Sequence, residues 1–430
     1  MLEFPINTNQ NGGYMKRLSI ATSLITLLAS LFFYAGAASA QSNDWQRISA
    51  PQQATVKVNG EEREIYPGCA FEGDDYSFYF KKGKSNKLVI FFNGGGACWN
   101  STTCLASLQS ALPAYVPSDD LPSNNPLLQD GVLNLNNPDN PYRDWSIAYL
   151  PYCTGDIHFG SKDTAYLASP GVTKTIRHRG FDNFLYARKW LKRHFIHEGK
   201  MHGPRKILVT GASAGAYGAV LNYAHIKAAF PGAKGYLLAD GGSGVFTESL
   251  MQDAIRPPNS VWNFAANLPQ SVPGMTAATV LDARSFTPAI YSALTNYYPR
   301  DRFSQYTTVH DAVQTLFYNI MLNSNDMSQW SRLTPQLFST WTSGMLNNSY
   351  AATAAPNYRF YIAPGCEHTI LRKTAMYSTE TVGGTTFRDW LEGLTGGEDR
   401  MEWSNLSCTD TGCQHQPLTS AQIGVCLRSP

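Results

Sequence analysis

Apolar residues follow two different rhythms along this chain. Short runs that are apolar throughout are typical of buried strands, and longer segments with apolar residues three and four positions apart are typical of amphipathic helices. The predicted strands are residues 87–92, 145–150, 207–209, 235–239 and 358–363. One predicted helix begins after residue 214, and the others span residues 181–195, 310–322 and 387–394. Strands that alternate with helices predict an α/β fold, in which a mostly parallel sheet is covered by helices on both faces.

Three segments depart from this alternation. Residues 41–80 alternate loosely between apolar and polar side chains, which favours an antiparallel edge or hairpin. Residues 110–145 are rich in Pro, Asn, Asp and Ser, so we predict a long surface excursion near the mouth of a functional site. Residues 250–300 mix prolines with aromatic residues and would suit a cap or insertion. No internal repeat occurs, and we predict a single domain over residues 41–430.

The first forty residues are typical of a secretion signal. Residues 15–17 (Met-Lys-Arg) precede an apolar run over residues 18–34, and residues 38–40 (Ala-Ser-Ala) form a small-residue cleavage site. Residues 1–14 are interpreted as an upstream extension, because the basic region of a signal normally begins the chain. A membrane anchor is the competing interpretation, but the apolar run is short and contains Ser and Thr. We therefore expect an exported protein, extracellular or periplasmic, with no stable membrane anchor.

Charge and cysteine content narrow the function classes. The 430 residues carry a net charge of +2 and 15% are charged, which gives no electrostatic case for a nucleic-acid partner. Eight cysteines behind an export signal predict four disulfides. Cys98 with Cys104, and Cys408 with Cys413, are close enough in sequence to close small loops, while the pairing of the other four stays open. A metal site is the weaker interpretation, since neither a paired C-x-x-C nor an H-E-x-x-H occurs.

The most informative stretch is residues 206–218, KILVTGASAGAYG. A buried strand leads into a G-x-S-x-G sequence centred on Ser213, and a segment with helical spacing follows. Such a tight strand-to-helix turn is a nucleophile elbow, which leaves the serine Oγ exposed above the sheet. Because G-x-S-x-G often occurs by chance, the flanking strand and helix favour this interpretation over an ordinary glycine-rich turn.

A second glycine-rich segment, residues 93–96 (Asn-Gly-Gly-Gly), directly follows the first buried strand. Glycine tolerates positive φ and lets backbone N–H groups face a ligand, as a hole for a developing oxyanion requires. A plain glycine turn is the alternative. The elbow that follows about a hundred residues later favours the oxyanion hole, because esterases have this order.

An activated serine also needs a base, usually a histidine that a carboxylate holds in one tautomer. On α/β-hydrolase folds the chain order is serine, acid, histidine, which places the histidine late and at the end of a strand. His368 follows the last predicted strand and fits best. His225 comes too early, on the elbow helix, while His310 and His415 remain alternatives.

Two aspartates are candidates for the acid. Asp240 ends the strand that follows the elbow, and Asp311 lies between Ser213 and His368 at the start of a predicted helix. Position alone does not exclude Asp240. The plainer interpretation of Asp311 is a carboxylate that interacts favourably with the dipole of that helix.

The combination of motifs resembles the family of pectin acetylesterases and Notum-type carboxylesterases, in blocks scattered over the mature chain. The matching blocks are residues 93–98 with Cys104, residues 152–156 (Tyr-Cys-Thr-Gly-Asp), 211–215 and 238–242, Asp311 with Gln314, and residues 366–368 (Cys-Glu-His). The neighbours of Asp311 match the acid motif of that family, whereas those of Asp240 match a different block.

The resemblance implies an α/β-hydrolase-like fold and ester hydrolysis without a metal or organic cofactor. Ser213 would attack the acyl carbon, His368 would take its proton, and Asp311 would orient the imidazole. The oxyanion would be bound by the N–H groups of Gly95, Gly96 and Ala214.

The resemblance also implies a substrate class. We expect a monomer that hydrolyses small acyl esters, acetyl above all, on a plant-type polysaccharide such as pectin. The alternative is a lipid, aryl or polyester carboxylesterase. A catalytically inactive carbohydrate- or lipid-binding module is a third interpretation, which an intact serine, histidine and acid disfavour.

Overall fold

The computed structural model describes residues 45–196, 203–280, 282–379, 384–396, 403–410, 413 and 418–427. The predicted secretion signal, its upstream extension and His415 lie outside the described residues, so these expectations stay predictions. Within the described ranges, no helix is long and apolar enough to cross a membrane.

The described residues form a series of mostly short strands. They are β1 (Gln46–Ser49), β2 (Ala54–Val58), β3 (Glu61–Ile65), β4 (Ser77–Lys81), β5 (Lys87–Phe92), β6 (Ser146–Leu150), β7 (Lys162–Ser169), β8 (Val172–His178), β9 (Lys206–Ala212), β10 (Lys234–Asp240), β11 (Arg302–Thr308), β12 (Tyr358–Ala363) and β13 (Leu406–Ser407).

Helices occupy most of the connections between the later strands. They are α1 (Gly180–Phe195), α2 (Ala214–Ala229), α3 (Glu248–Leu250), α4 (Ala277–Val280), α5 (Phe286–Tyr297), α6 (Ala312–Leu322), α7 (Pro335–Ala352), α8 (Phe387–Thr395) and α9 (Ser420–Cys426). Single 3₁₀ or π turns lie at Thr102–Ala106, Ser107–Gln109, Pro122–Asn124, Pro126–Leu128, Gly131–Leu133, Met251–Ile255, Phe264–Asn267, Met327–Gln329, Thr374–Tyr377 and Cys408–Asp410.

Nine strands form one sheet in the order β1-β4-β6-β5-β9-β10-β11-β12-β13. The strands from β6 to β13 in this order pair in parallel, and β4 pairs antiparallel with both β1 and β6. β2 with β3, and β7 with β8, form separate antiparallel hairpins. The predicted α/β fold with a mostly parallel sheet is confirmed.

Side chains that alternate along the strands build two cores, one on each face of the sheet. On β5, Leu88, Ile90 and Phe92 belong to one core, and Val89 and Phe91 belong to the other. The first core includes buried side chains of α1, α2, α5 and α7. The second includes four buried residues of α8, Phe387, Trp390, Leu391 and Leu394. Helices therefore bury both faces of the sheet.

Two parts of the prediction need correction. Residues 110–145 are not only a surface excursion, because Val132, Leu133 and Tyr142 are buried in the second core. The N–H of Val132 donates to the carbonyl of Leu371 at 2.8 Å, which draws this segment inward. Strand β11, helix α7 and the β7–β8 hairpin were not predicted. Polar residues such as Ser304, Gln305 and Thr307 hide the strand pattern of β11, although all three are buried.

The four predicted disulfides are confirmed. Cys98 pairs with Cys104 and Cys408 with Cys413, as their spacing predicted. The pairings that the sequence left open are Cys69 with Cys153 and Cys366 with Cys426.

Candidate active site

Ser213 occupies a strained turn between β9 and α2. Its backbone has φ 59° and ψ −124°, a conformation that residues other than glycine rarely adopt. A Cβ on Gly215 would collide with the carbonyl oxygen of Phe92, so only glycine fits beside the neighbouring strand. The Ser213 N–H donates to the carbonyl of Asp240 at 2.7 Å. The strand, strained serine and helix of the predicted elbow are therefore present.

His368 and Asp311 are directly hydrogen-bonded. His368 Nδ1 lies 2.8 Å from Asp311 Oδ2 and 3.0 Å from Oδ1. The Asp311 side chain is fully buried, and that of His368 is 12% exposed. The other ring nitrogen, Nε2, is buried and has no hydrogen-bond partner among the described residues. A ring held by a carboxylate on one nitrogen and unpaired on the other has the geometry of a general base.

The same carboxylate also caps α6. Asp311 Oδ1 accepts a hydrogen bond from the Gln314 N–H at 2.9 Å, and Oδ2 accepts one from Gln314 Nε2 at 2.8 Å. Gln314 Oε1 in turn accepts from the N–H of Ser243 at 2.8 Å. The helix-terminal interpretation of Asp311 and the histidine-partner interpretation therefore both hold, and the cap fixes the carboxylate towards His368.

The glycine-rich segment after β5 has the backbone geometry that its composition predicted. Gly96 has φ 76°, and a Cβ there would collide with the carbonyl oxygen of Ala114. The Val116 N–H donates to the carbonyl of Gly95 at 2.8 Å, which fixes the glycine-rich segment against the chain around Val116. No described residue accepts a hydrogen bond from the N–H groups of Gly95, Gly96 and Ala214. Gly96 and Ala214 line the pocket that holds Ser213, whereas Gly95 is not part of that lining.

Ser213 and His368 line one pocket with mainly apolar walls. Its cavity volume is about 70 Å³. The pocket is therefore narrow rather than broad. Its apolar wall consists of Ala97, Trp99, Ile157, Tyr217, Val245, Phe246, Leu250, Trp262, Val313, Phe317, Met321 and Trp341.

Comparison with known proteins finds a matching family. The family model of pectinacetylesterases matches residues 67–275. Over this segment, just under half of its length, the chain is similar to pectinacetylesterases. This confirms the resemblance that the motifs predicted. The matched segment contains Ser213 and the glycine-rich loop, while Asp311 and His368 lie beyond it.

Two proteins named as Notum carboxylesterases are similar to part of this chain. The chain is 26% identical over 148 residues to the palmitoleoyl-protein carboxylesterase NOTUM of Schmidtea mediterranea, which covers 33% of this chain and 25% of that protein. It is 24% identical over 160 residues to the palmitoleoyl-protein carboxylesterase notum2 of Xenopus laevis, covering 36% of this chain and 30% of that protein. The matched part thus spans less than a third of either relative.

The fold has a solved counterpart. The crystal structure of the Wnt deacylase Notum from Drosophila superposes with a TM-score of 0.56 at 16% identity, covering 80% of this chain and 92% of that one. At that identity the likeness shows the α/β-hydrolase-like fold.

The alternative site residues lie elsewhere or have other partners. His225 is buried on α2, where its Nε2 lies 2.9 Å from the carbonyl of Asn267 and burial lowers its pKa to about 4. His310 is also buried, with Nδ1 3.3 Å from Thr342 Oγ1. Asp240 accepts hydrogen bonds from the N–H groups of Ile370 and Leu371. Of the candidate acids, Asp311 is the one bonded to His368.

One cluster in the described residues brings together potential metal ligands, namely Cys98, Cys104 and His178. The two sulfurs are joined in a disulfide, and both ring nitrogens of His178 lie within 2.8 Å of other groups, Tyr166 Oη and the carbonyl of Thr154. This donor set does not suit a metal ion.

Sequence reasoning missed the apolar wall of the pocket. Val313, Phe317 and Met321 lie four positions apart on α6 and therefore present one stripe to the pocket. That spacing directly after Asp311 is the signal that could have found it. Trp99 and Trp341 come from distant segments and give no such signal.

Proposed function

We propose that this protein is a carboxylic ester hydrolase with Ser213, His368 and Asp311 as its catalytic triad. The observation that carries the proposal is the hydrogen-bonded pair of His368 and Asp311 beside the pocket that Ser213 lines. The family relationship supports the same class of reaction.

Acylation begins when Ser213 Oγ attacks the carbonyl carbon of the ester. A bond forms between Oγ and that carbon, and the serine proton moves to Nε2 of His368, the nitrogen without a hydrogen-bond partner in the described part of the chain. Asp311 stabilises the imidazolium through Nδ1. The C–O bond to the alcohol then breaks, and His368 returns the proton to the departing oxygen.

Deacylation repeats these steps with water. His368 takes a proton from the water, the hydroxide attacks the acyl carbon, and the proton returns to Ser213 as the acid leaves. In both halves the tetrahedral intermediate carries a negative oxygen. The donors proposed to bind it are the N–H groups of Gly96 and Ala214, with Gly95 beside them, for which the described residues supply no acceptor. Losing one such donor raises the barrier by about 3 kcal/mol.

The triad does not determine which acyl group the ester carries, and two candidates have support. Acetyl esters of a polysaccharide such as pectin are the first candidate, on the strength of the pectinacetylesterase match. The apolar pocket supports a second candidate, an ester whose acyl chain is longer than acetyl. A chain seated along Phe246, Phe317 and Trp341 would be removed from water, which contributes about 0.8 kcal/mol per methylene group.

Two experiments test this proposal. Wild-type protein should react with a fluorescent organophosphonate, and Ser213→Ala should not; a wild-type protein that stays unlabelled contradicts the esterase assignment. Kcat/KM on p-nitrophenyl esters from two to twelve carbons, beside acetate release from acetylated pectin and xylan, then identifies the acyl group. A rate that peaks at acetyl excludes the longer chain.

We also propose that residues 41–430 form one exported esterase domain after removal of residues 1–40, acting outside the cell or in the periplasm. Four disulfides support export, because such bonds persist in oxidising compartments. N-terminal sequencing of the secreted protein tests the cleavage site, and size-exclusion chromatography with light scattering tests the expected monomer.

A further inference from the structure

Asp240, the last residue of β10, contacts both halves of the proposed active site. It is fully buried. Its backbone carbonyl accepts a hydrogen bond from the N–H of Ser213 at 2.7 Å. Its carboxylate accepts from the N–H of Ile370, at 2.9 and 3.1 Å, and from that of Leu371 at 2.8 Å. One residue therefore bonds to the serine turn and to the backbone just after His368.

The backbone that Asp240 holds is strained. Thr369, directly after His368, has φ 58°, a left-handed conformation that is unfavourable for a β-branched residue. Strain of this kind persists only where surrounding contacts fix the chain. The hydrogen bonds from the next two residues to Asp240 are such contacts.

The residue after Asp240 contacts the histidine ring itself. Gly241 has φ 70°, and a Cβ there would lie 3.0 Å from Cε1 and 3.2 Å from Nδ1 of His368. The chain at the carboxyl end of β10 thus restricts the position of the His368 ring from one side. The Asp240 carboxylate holds the backbone directly after His368.

A buried carboxylate at this position is unfavourable for the fold. Burial raises the pKa of Asp240 from 3.8 to about 6, against the opposing effects of the two N–H groups and of the nearby side chains of His368 and Arg372. Tyr306 on β11 also faces it. Between pH 3.8 and about 6 the folded chain therefore holds a proton that the unfolded chain releases, and stability falls as pH rises through that window. A neutral residue would avoid this loss.

We infer that Asp240 is a positioning residue for His368, which it acts on by holding the Thr369–Leu371 backbone while its own carbonyl holds the Ser213 turn. The inference rests on the proposed function, and it assigns no chemical step to Asp240. Releasing the loop would displace the imidazole relative to Ser213, and a misplacement of about 1 Å lowers the rate of an enzymatic step by roughly 100-fold.

The first test compares Asp240→Asn with Asp301→Asn. Asp301 is also a buried carboxylate, and it accepts a hydrogen bond from the backbone N–H of Gly235 at 2.8 Å. It directly precedes β11 and lies beside the amino end of β10, whereas Asp240 lies at the carboxyl end. Asparagine at 240 places an NH₂ group against a backbone N–H. We expect Asp240→Asn to lower kcat by about 10- to 100-fold with KM changed less than threefold. Asp301→Asn should lower Tm and leave kcat within about twofold, because it is remote from the site.

The second test needs no variant. If Asp240 acts in its ionised form, its protonation, with a pKa raised to about 6, adds a second proton to the one that the general base takes up. The acid limb of log(kcat/KM) of the wild-type protein then has a slope steeper than one. In Asp240→Asn the slope should return to one. A residue that only stabilised the fold would change Tm but not this slope.

Each outcome decides the question. An Asp240→Asn variant with wild-type kcat and an unchanged pH slope overturns the inference. If the variant does not fold, a wild-type acid slope of one overturns it, and a steeper slope supports it. A wild-type protein that does not react with the organophosphonate contradicts the proposed function instead, so the two failures are distinguishable.

Discussion

The carboxylate of Asp311 accepts hydrogen bonds from His368 and from Gln314 at once. Both of its oxygens lie within 3.0 Å of His368 Nδ1, and each also accepts one N–H of Gln314. Because the helix cap and the histidine share one carboxylate, the rigid start of α6 determines where the imidazole can sit. This relationship makes the acid assignment testable without disturbing the fold.

Asp311→Asn should lower kcat by roughly 10³- to 10⁴-fold, because the amide favours the wrong tautomer of His368. Asparagine is as good an N-cap as aspartate, so we expect α6 to persist. Steady-state kinetics measures the loss, and circular dichroism with a thermal melt checks the fold.

The comparison with Asp240→Asn separates the two candidate acids. Asp240→Asn should reduce kcat by far less than Asp311→Asn. If the two folded variants show the reverse order, the assignment of Asp311 as the acid is wrong.

Replacing Ser213 tests the nucleophile and the strain of its turn together. Ser213→Ala and Ser213→Gly should both abolish hydrolysis, since neither has a hydroxyl. Ser213→Gly should in addition be more stable than Ser213→Ala by about 1 kcal/mol, because φ 59° is unstrained only for glycine. Urea unfolding of the two variants gives the difference. Hydrolysis within tenfold of wild type in either variant would exclude Ser213 as nucleophile.

The disulfide between Cys366 and Cys426 anchors the loop of His368, since Cys366 lies two residues before the histidine. Replacing both cysteines with serine should reduce stability by about 2–4 kcal/mol and also lower kcat. The matched control is the Cys408/Cys413 double serine variant, whose five-residue separation leaves His368 untouched and whose kcat should stay near wild type. Equal kcat values in the two double variants would contradict a role of the bridge in holding the loop.

Buried histidines should make the protein sensitive to acid. Burial lowers the pKa of His158, His178 and His225 from 6.5 to about 4. Between pH 6.5 and 4 the unfolded chain binds these protons and the folded chain does not, so stability is lost as pH falls through that window. Asp156 and Asp240, whose pKa values burial raises to about 6, have the opposite effect and offset part of it.

The measurement is the urea midpoint at pH 7 and pH 5. We expect a lower midpoint at pH 5, because the three histidine shifts extend from pH 6.5 to about 4 and outweigh the opposing shifts of the buried aspartates. His225→Gln removes one of the three and should reduce the difference between the two midpoints. A midpoint that is equal or higher at pH 5 would show that the buried histidines do not control acid stability.

The sequence by itself determined the parts of this protein whose causes are local. The apolar run of Lys87–Phe92, the small residues around Ser213 and the glycines after β5 specify their own backbone conformations, because strand burial, tight turns and positive φ depend on a few adjacent residues. The two short-range disulfides were predictable for the same reason. The parallel sheet then followed from the alternation of strands and helices.

Tertiary structure decided what depends on residues far apart in the chain. Asp240 ends β10 and Asp311 lies shortly after β11. Because these two strands are parallel neighbours, both side chains start at the same edge of the sheet, and sequence position cannot separate their roles. The cap at α6 turns one carboxylate to His368, and the loop after β12 brings its N–H groups to the other. The apolar pocket wall, with Trp99 and Trp341 from distant segments, arises in the same way. Long-range packing selects one arrangement among several that local preferences allow, and a single sequence carries no direct record of that selection.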